Sequence, residues 1–363
     1  MTAERQNDRE SGSRDSYRVA EASFEAAAGA AGGPHDRWYR IAAHLVRLRF
    51  AGPSLIAPIT RSLDHLETRP RGEAELTICL WDGASTGSAA PPTPVGPAAR
   101  PVAGEAWVYR DGDRQAVYRP HDRILNWLDS ARSLGLYWAP DARTLPFDER
   151  VSPLRHILSW WMRSRGLEFV HAAAVGSDDG GVMLVGRNGA GKSTTALACA
   201  QSGLHFLGDN YLLVQSDPSW VYGAYRSATL HRAHLCRYPQ LISPVVNPES
   251  DVDKALGFLH PTATVASAPG LPIRAIVLPN VRGGAAACSL SRVTAGEALR
   301  ALAPSSIFSL PGADRTTLGT LAEMVKHIPT YALVLGGDLS CVPDLLATLA
   351  SHHSIRDDAV VLR

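Results

Sequence analysis

The stretch Gly186-Arg187-Asn188-Gly189-Ala190-Gly191-Lys192-Ser193-Thr194 matches G-x-x-x-x-G-K-[ST] at every fixed position. It constrains the chain more than any other feature. Its glycines let the backbone curl so that successive N–H groups converge on phosphate oxygens. Lys192 brings a compact positive charge to the outer phosphates, and the Ser193 hydroxyl can ligate Mg²⁺. Residues 181–185 (GVMLV) form an apolar strand leading in, and residues 192–201 (KSTTALACAQ) read as the helix leading out. The positive N-terminal end of that helix would receive the phosphates. The expected nucleotide-binding residues are Gly186, Asn188, Gly189, Ala190, Gly191, Lys192, Ser193 and Thr194, with ATP and Mg²⁺ as ligands.

A chain of 363 residues exceeds one average core and suggests two domains. A net charge of +1 supplies no global field for nucleic acid or an anionic membrane, and neither partner is expected. The cysteines Cys79, Cys199, Cys236, Cys288 and Cys341 are scattered without a C-x-x-C pair. That pattern fits a reducing compartment and argues against a disulfide framework or a zinc site. No apolar run reaches bilayer length, and the N-terminus alternates in charge without an apolar core, unlike a signal peptide. A cytoplasmic protein is expected.

Along the chain, residues 1–34 are polar, then Ala/Gly-rich, and read as a disordered tail. Residues 35–150 read as a small aromatic-rich, mostly β domain. Its strand candidates lie at 39–50 and 74–81, with a short helix at 54–66. A Pro/Ala/Gly loop covers 84–104, and a hairpin spans 106–119 around Asp111-Gly112-Asp113. Seven of the eight tryptophans precede Lys192, which fits an aromatic core there. Residues 151–363 read as the phosphate-loop domain, entered by a helix at 154–165 linking the two lobes. A strand over 168–175 and a turn at Ser177-Asp178-Asp179-Gly180 then precede the loop strand, and so short a turn makes the two strands antiparallel neighbours. Most phosphate-loop folds open instead with a parallel βαβ unit. Two apolar runs surround Gly208-Asp209-Asn210, and 216–269 reads as loop-rich. Strands at 274–278 and 331–335 and helices at 294–302, 317–327 and 343–351 complete an α/β pattern.

Asp209 is the best acidic candidate, 17 residues past Lys192, where a strand beside the loop strand would present its carboxylate to the outer phosphate. It is the expected base and, with Ser193, the expected metal ligand. The alternative is a turn aspartate serving its own backbone. His171, in the strand paired with the loop strand, is an orienting residue or a hydrogen-bonded core histidine. Asp178 and Asp179 sit at the far end of the hairpin and read as solvated. A basic group (Arg226, His231, Arg232, His234, Arg237) and Lys254 offer cations for an acidic substrate, with Asn210 as a neighbouring polar contact. His327, near a helix C-terminus, reads as a dipole partner.

The loop words GRNGAGKST are also those of ABC-transporter ATPases, yet no L-S-G-G-Q signature occurs, and Asp338 lacks the glutamate that follows in those enzymes. The segment EFVHAAAVGSDDGGVMLVGRNGAGKSTTALACAQSGLHFLGDNYLLV instead resembles the catalytic domain of HPr kinase/phosphorylase. LPIRAIVLPN, TAGEALRALAP and IPTYALVLGGDLSCVPDLLATL resemble the C-terminal half of the HPr-kinase-like proteins of peptide-tailoring clusters, including lasso-peptide clusters. The resemblance covers about residues 154–350. It implies an HPr-kinase-like (PEP-carboxykinase-like) P-loop domain and an Mg-ATP-dependent kinase acting on a hydroxyl, with serine of a peptide or protein as the expected acceptor. In that reading Lys192 neutralises the γ-phosphate, Asp209 serves as base, and His171 matches the strand histidine. Asn210 stands where the bifunctional enzyme has a second aspartate. An amide cannot act as a carboxylate base, so phosphorylase activity is not implied. The N-terminal domain does not match that of HPr kinase, which points away from HPr as acceptor. A small-molecule kinase and a nucleotide-binding regulator without transfer are the alternatives, and a homo-oligomer stays open.

Overall fold

The computed structural model describes residues 3–93, 100–102, 106–247, 253–260, 270–281, 288–310 and 315–351. The chain divides into two compact units at Ser164/Arg165, fourteen residues beyond the boundary expected at 150/151.

The first unit opens with helix α1 (Ala3–Ala30), where a disordered tail was expected. The physical reason is a stripe at helical spacing. Tyr17, Ala20, Phe24, Ala27 and Ala28 are buried against Trp81, Trp127, Leu136 and Trp138, so one helix face covers the sheet's aromatics. The side chains of Arg132 and Glu21 add a two-pronged ion pair at 2.7 and 2.8 Å. Strands β1 (His35–Ile41) and β2 (His44–Phe50) replace the single strand expected over 39–50. Ala42 and Ala43 both take positive φ and turn the chain between them. Then come α2 (Ile56–Thr60), β3 (Leu76–Asp82), α3 (Gly83–Thr86) and β4 (Arg100–Val102). Much of the Pro/Ala/Gly loop expected over 84–104 lies outside the described residues. Strands β5 (Ala106–Asp111) and β6 (Arg114–Arg119) form the expected hairpin. β7 (Ile124–Asp129) and β8 (Leu134–Ala139) follow, then α4 (Phe147–Val151) and α5 (Arg155–Arg163). The strands make one eight-stranded sheet in the order β1-β2-β3-β8-β7-β6-β5-β4. Helix α5 belongs to this unit rather than opening the next.

The second unit is mixed α/β. Its elements are β9 (Leu167–Val170), β10 (Ala173–Ser177), β11 (Gly180–Leu184), α6 (Lys192–Gln201), β12 (His205–Gly208), β13 (Leu212–Gln215), β14 (Trp220–Gly223), β15 (Ser227–His231), β16 (Ile242–Val245), β17 (Lys254–Leu259), β18 (Leu271–Val281), β19 (Ser289–Arg292), α7 (Ala295–Ser309), α8 (Arg315–His327), β20 (Thr330–Leu335) and α9 (Val342–Ala350). β10 and β11 pair antiparallel through the two-residue turn Asp178-Asp179. β11 then pairs parallel with β18, and β18 with β20. Strand alternation sorts the core into two layers. Val182 and Leu184 of β11 pack towards α6 and α9, while Met183 and Val185 pack towards α7 and α8. A separate three-stranded sheet, β15-β17-β16, occupies much of the stretch expected to be loop.

Candidate functional site

Strand β11 ends at Leu184, and Val185 enters the curled loop. Gly189 and Gly191 adopt φ of +82° and +103°, left-handed values that favour glycine. At Gly191 there is a second constraint: a Cβ would lie 2.6 Å from Leu335 Cδ1. Helix α6 begins at Lys192, as expected, so its unpaired N–H groups face the space enclosed by the loop. Lys192 is buried, and its ammonium donates to the Gly186 carbonyl at 2.7 Å and the Arg187 carbonyl at 3.3 Å. Burial and the charge of Lys254 lower its pKa, against the opposing pull of Asp209.

Asp209 follows β12, which pairs with β10 and not with the loop strand. The carboxylate is therefore delivered from one strand further away than the sequence suggested. It still belongs to the loop's surroundings, because Lys192 and Ser193 act on it directly. Asp209 is 1% exposed. Its Oδ2 accepts the Thr229 N–H at 2.9 Å, while Oδ1 is buried without a partner of good hydrogen-bond geometry. Burial raises the pKa of this carboxyl. The Thr229 N–H, the Ser193 hydroxyl, the Lys192 charge and the Asn210 N–H all pull it the other way.

His171 lies in the break between β9 and β10, not inside a strand paired with the loop strand. Its N–H donates to Ser306 Oγ at 3.0 Å, and its ring meets Tyr211 edge-on at 5.8 Å. Burial, then the charges of Lys192 and Lys254, lower the imidazole to about 4. It is neutral at pH 7.

Two proposed substrate contacts are otherwise occupied. Asn210 sits at φ +72°, which asparagine tolerates, and its amide donates to Thr229 Oγ1 at 2.7 Å. It holds β15 in place beside Asp209. Arg226 is buried and donates to the Leu259 carbonyl at 2.8 Å, clasping β15 to β17. Lys254, by contrast, acts on both Lys192 and His171. Asp178 is 95% exposed, as expected of a turn residue. His327 pairs with Glu323 at 3.1 Å, and Asp338 accepts from the Ser340 N–H and hydroxyl. Neither joins the loop.

Sequence reasoning missed Thr229, whose backbone orients Asp209. The alternation over Ser227–His231 was the available signal, but the strand is short and sits among loop-like residues. It also missed a cavity of about 440 Å³ that borders the loop over Gly186–Ala190. Its other walls include Leu278, Pro279, Val281 and Val293. Among the described residues no group of three or more His, Cys, Asp or Glu could hold a metal ion, and no helix is long and apolar enough to cross a membrane.

No family model matches the chain. Two curated relatives do. A phosphate acyltransferase of Shewanella woodyi is 28% identical over 167 residues, covering 43% of this chain and 48% of the relative. A phosphate acyltransferase of Shewanella sediminis is 31% identical over 121 residues, covering 31% of this chain and 35% of the relative. The chain thus spans about half or less of the relatives it matches. Both names are those of transferases that move acyl groups. They overturn the HPr-kinase-like assignment, the ATP-dependent kinase activity expected from it, and its labels as a kinase, ATP-binding or P-loop protein. The physical reason is the reach of the motif: a glycine-rich turn before a helix specifies a cradle for phosphate oxygens and leaves open which bond is made there.

Proposed function

We propose that the loop from Gly186 to Thr194 binds a phosphate group and that the chain is a transferase acting at that phosphate, with acyl transfer to phosphate as the reaction. One arrangement carries this reading. The N-terminus of α6 and the Lys192 ammonium converge on the space inside the loop, with the orphaned Asp209 Oδ1 close by. Lys192 and the loop N–H groups would neutralise and orient the phosphate. A phosphate oxygen would then attack an activated acyl carbonyl, forming the new P–O–C bond as the leaving group departs. The cavity beside Gly186–Ala190, with apolar walls from Leu278, Val281 and Val293, would take the acyl portion. The relatives' names support acyl transfer over phosphoryl transfer.

The donor set suits Mg²⁺, which binds through one or two protein oxygens and completes its shell with phosphate and water. Ser193 Oγ and Asp209 would hold it, and it would supply charge neutralisation at the phosphate. Inorganic polyphosphate is the second ligand that the full G-x-x-x-x-G-K-[ST] pattern favours.

The test is incubation with labelled orthophosphate and a panel of acyl thioesters, trapping any acyl phosphate as the hydroxamate with hydroxylamine. Label entering an acyl phosphate, and its loss in Lys192→Ala, is the expected result. Orthophosphate that binds without forming acyl phosphate with any donor would refute the reaction, and failure to bind orthophosphate would refute the site.

A further inference from the structure

Thr229 fixes which way the three-stranded sheet faces. Its hydroxyl receives the Asn210 amide, so the Thr229 face of β15 looks onto the residue next to Asp209, while its N–H, lying in the sheet plane, reaches Asp209 from the β15 edge. Side chains alternate along a strand, and directly opposed residues of an antiparallel pair share a face. Thr229 opposes Leu256, and His231 opposes Lys254. Lys254 and Leu256, two residues apart on β17, therefore stand on the Thr229 face. The opposite face is accounted for, since Ala228 and Leu230 are buried in the core layer containing α6. Burial follows the same division: Thr229, Lys254 and Leu256 are half-buried, while Ala228, Leu230 and Ala255 are buried.

The charges around this face do not balance. Lys254 forms no ion pair among the described residues, and Lys192 spends its ammonium on two loop carbonyls. The two lysines raise each other's electrostatic cost, and both act on His171, which carries no charge at neutral pH. Among the described residues, the carboxylate that acts on Lys192 here is Asp209. Two cations facing one carboxylate leave a surplus positive charge at a half-buried surface, which an anion larger than one carboxylate would neutralise.

We propose that Lys254 is a second phosphate-binding residue, and that it makes the site selective for ligands bringing a second phosphoryl group beside the one held by the loop. The inference rests on the phosphate-site reading above and adds to it the size and charge of the ligand. The two phosphoryl groups would be joined as a diphosphate or longer chain, or would arrive separately on two molecules. In both cases the loop and Lys192 hold the first, and Lys254 meets the second from β17. The Asn210–Thr229 hydrogen bond and the Arg226–Leu259 clasp position the strand that carries it.

Calorimetric titration of the full chain with orthophosphate, pyrophosphate and tripolyphosphate tests this, using wild type, Lys254→Met, Lys254→Arg and Lys192→Ala. Pyrophosphate should bind wild type about tenfold or more tightly than orthophosphate, the size of one charge-assisted contact. Lys254→Met should lose that advantage and Lys254→Arg keep it, while orthophosphate affinity stays within about threefold of wild type. Two orthophosphates bound per chain, falling to one in Lys254→Met, would support the separate-anion form. NMR titration of His171 supplies a readout that does not depend on a ligand: its pKa should rise in Lys254→Met. If wild type fails to bind orthophosphate, the phosphate site itself is refuted. If it binds orthophosphate but Lys254→Met keeps the full pyrophosphate advantage, or leaves the His171 titration unmoved, the role of Lys254 is refuted.

Discussion

Acidification should destabilise the second unit through one imidazole, and the size of the effect follows from its surroundings. His171 is held neutral by burial and by the nearby ammonium groups of Lys192 and Lys254, which lower it from 6.5 to about 4. An unfolded chain frees the ring to take a proton at its ordinary value. Above 6.5 neither state is protonated, and the term vanishes. As pH falls from 6.5 towards about 4 the unfolded state gains a proton that the folded state refuses, so stability drops across that window. At about 1.4 kcal/mol per pH unit of separation the full difference is worth about 3 kcal/mol. The ring is only half-buried, and solvent screening trims the expected loss to about 2 kcal/mol by pH 4.5. The assay compares urea unfolding of wild type and His171→Gln by circular dichroism at pH 7.5 and 4.5. Groups common to both chains, including buried His156 in the first unit, cancel in the difference. Wild type should lose about 2 kcal/mol more than the variant over this interval. Equal losses in the two chains, or a folded-state NMR titration of His171 near 6.5, would refute the electrostatic account of the site.

The same reasoning yields three further predictions. Saturating phosphate should raise the His171 pKa measured by NMR, because a bound anion offsets the charges of Lys192 and Lys254; an unmoved titration would place the anion elsewhere. Asp209→Asn should stabilise the unliganded chain at pH 7, read by urea unfolding, since it removes a carboxylate whose charged form burial disfavours while keeping an acceptor for the Thr229 N–H. The sign follows from the raised carboxyl: the folded state holds its proton more tightly, so stability is lost as pH rises from the unfolded value through the folded one. Phe24→Ala should cost about 3 to 5 kcal/mol in the first unit by opening a cavity beneath α1 against Trp81; a loss below about 1 kcal/mol would show that the helix is not docked.

The readable parts of this chain were those in which a local rule and the tertiary structure agree. The glycines at 189 and 191, the helix from Lys192 and the tight turn at Asp178-Asp179 follow from backbone geometry over a few residues, and each stands where the sequence put it. Helix α1 was hidden because its composition, rich in Ala and charge, resembles a tail. Its ordering comes from five apolar residues at helical spacing that find partners about 50 to more than 100 residues away. The β15-β17-β16 sheet was hidden for a related reason: its strands are four to six residues long, and their pairing closes over distant sequence. Long-range pairing leaves little local trace.

Asp209 reaches the loop's surroundings by a route that the sequence did not show. The sequence placed it on a strand adjoining the loop strand, whereas β12 adjoins β10. Its carboxylate nonetheless enters the loop's surroundings because β15 reaches over it and supplies the Thr229 N–H. Without that contact Oδ2 would lose the N–H that orients it in a buried setting, a cost of about 1–3 kcal/mol that would favour an outward rotamer. The insert sheet therefore does two jobs through one strand pair. β15 holds the acid in place, and β17 carries Lys254 on the same face. A substitution that loosens this sheet should weaken both together, even at a position far from the loop in sequence. Asn210→Gly isolates the point, because glycine also adopts the left-handed φ of +72° found there. It removes the hydrogen bond to Thr229 Oγ1 and leaves Lys192, Asp209 and Lys254 chemically intact. Anion affinity should still fall, with the larger loss for pyrophosphate than for orthophosphate, because β17 depends on β15 for its position. Equal losses for the two anions would mean that the sheet is held by other contacts and that Lys254 acts independently of Asp209.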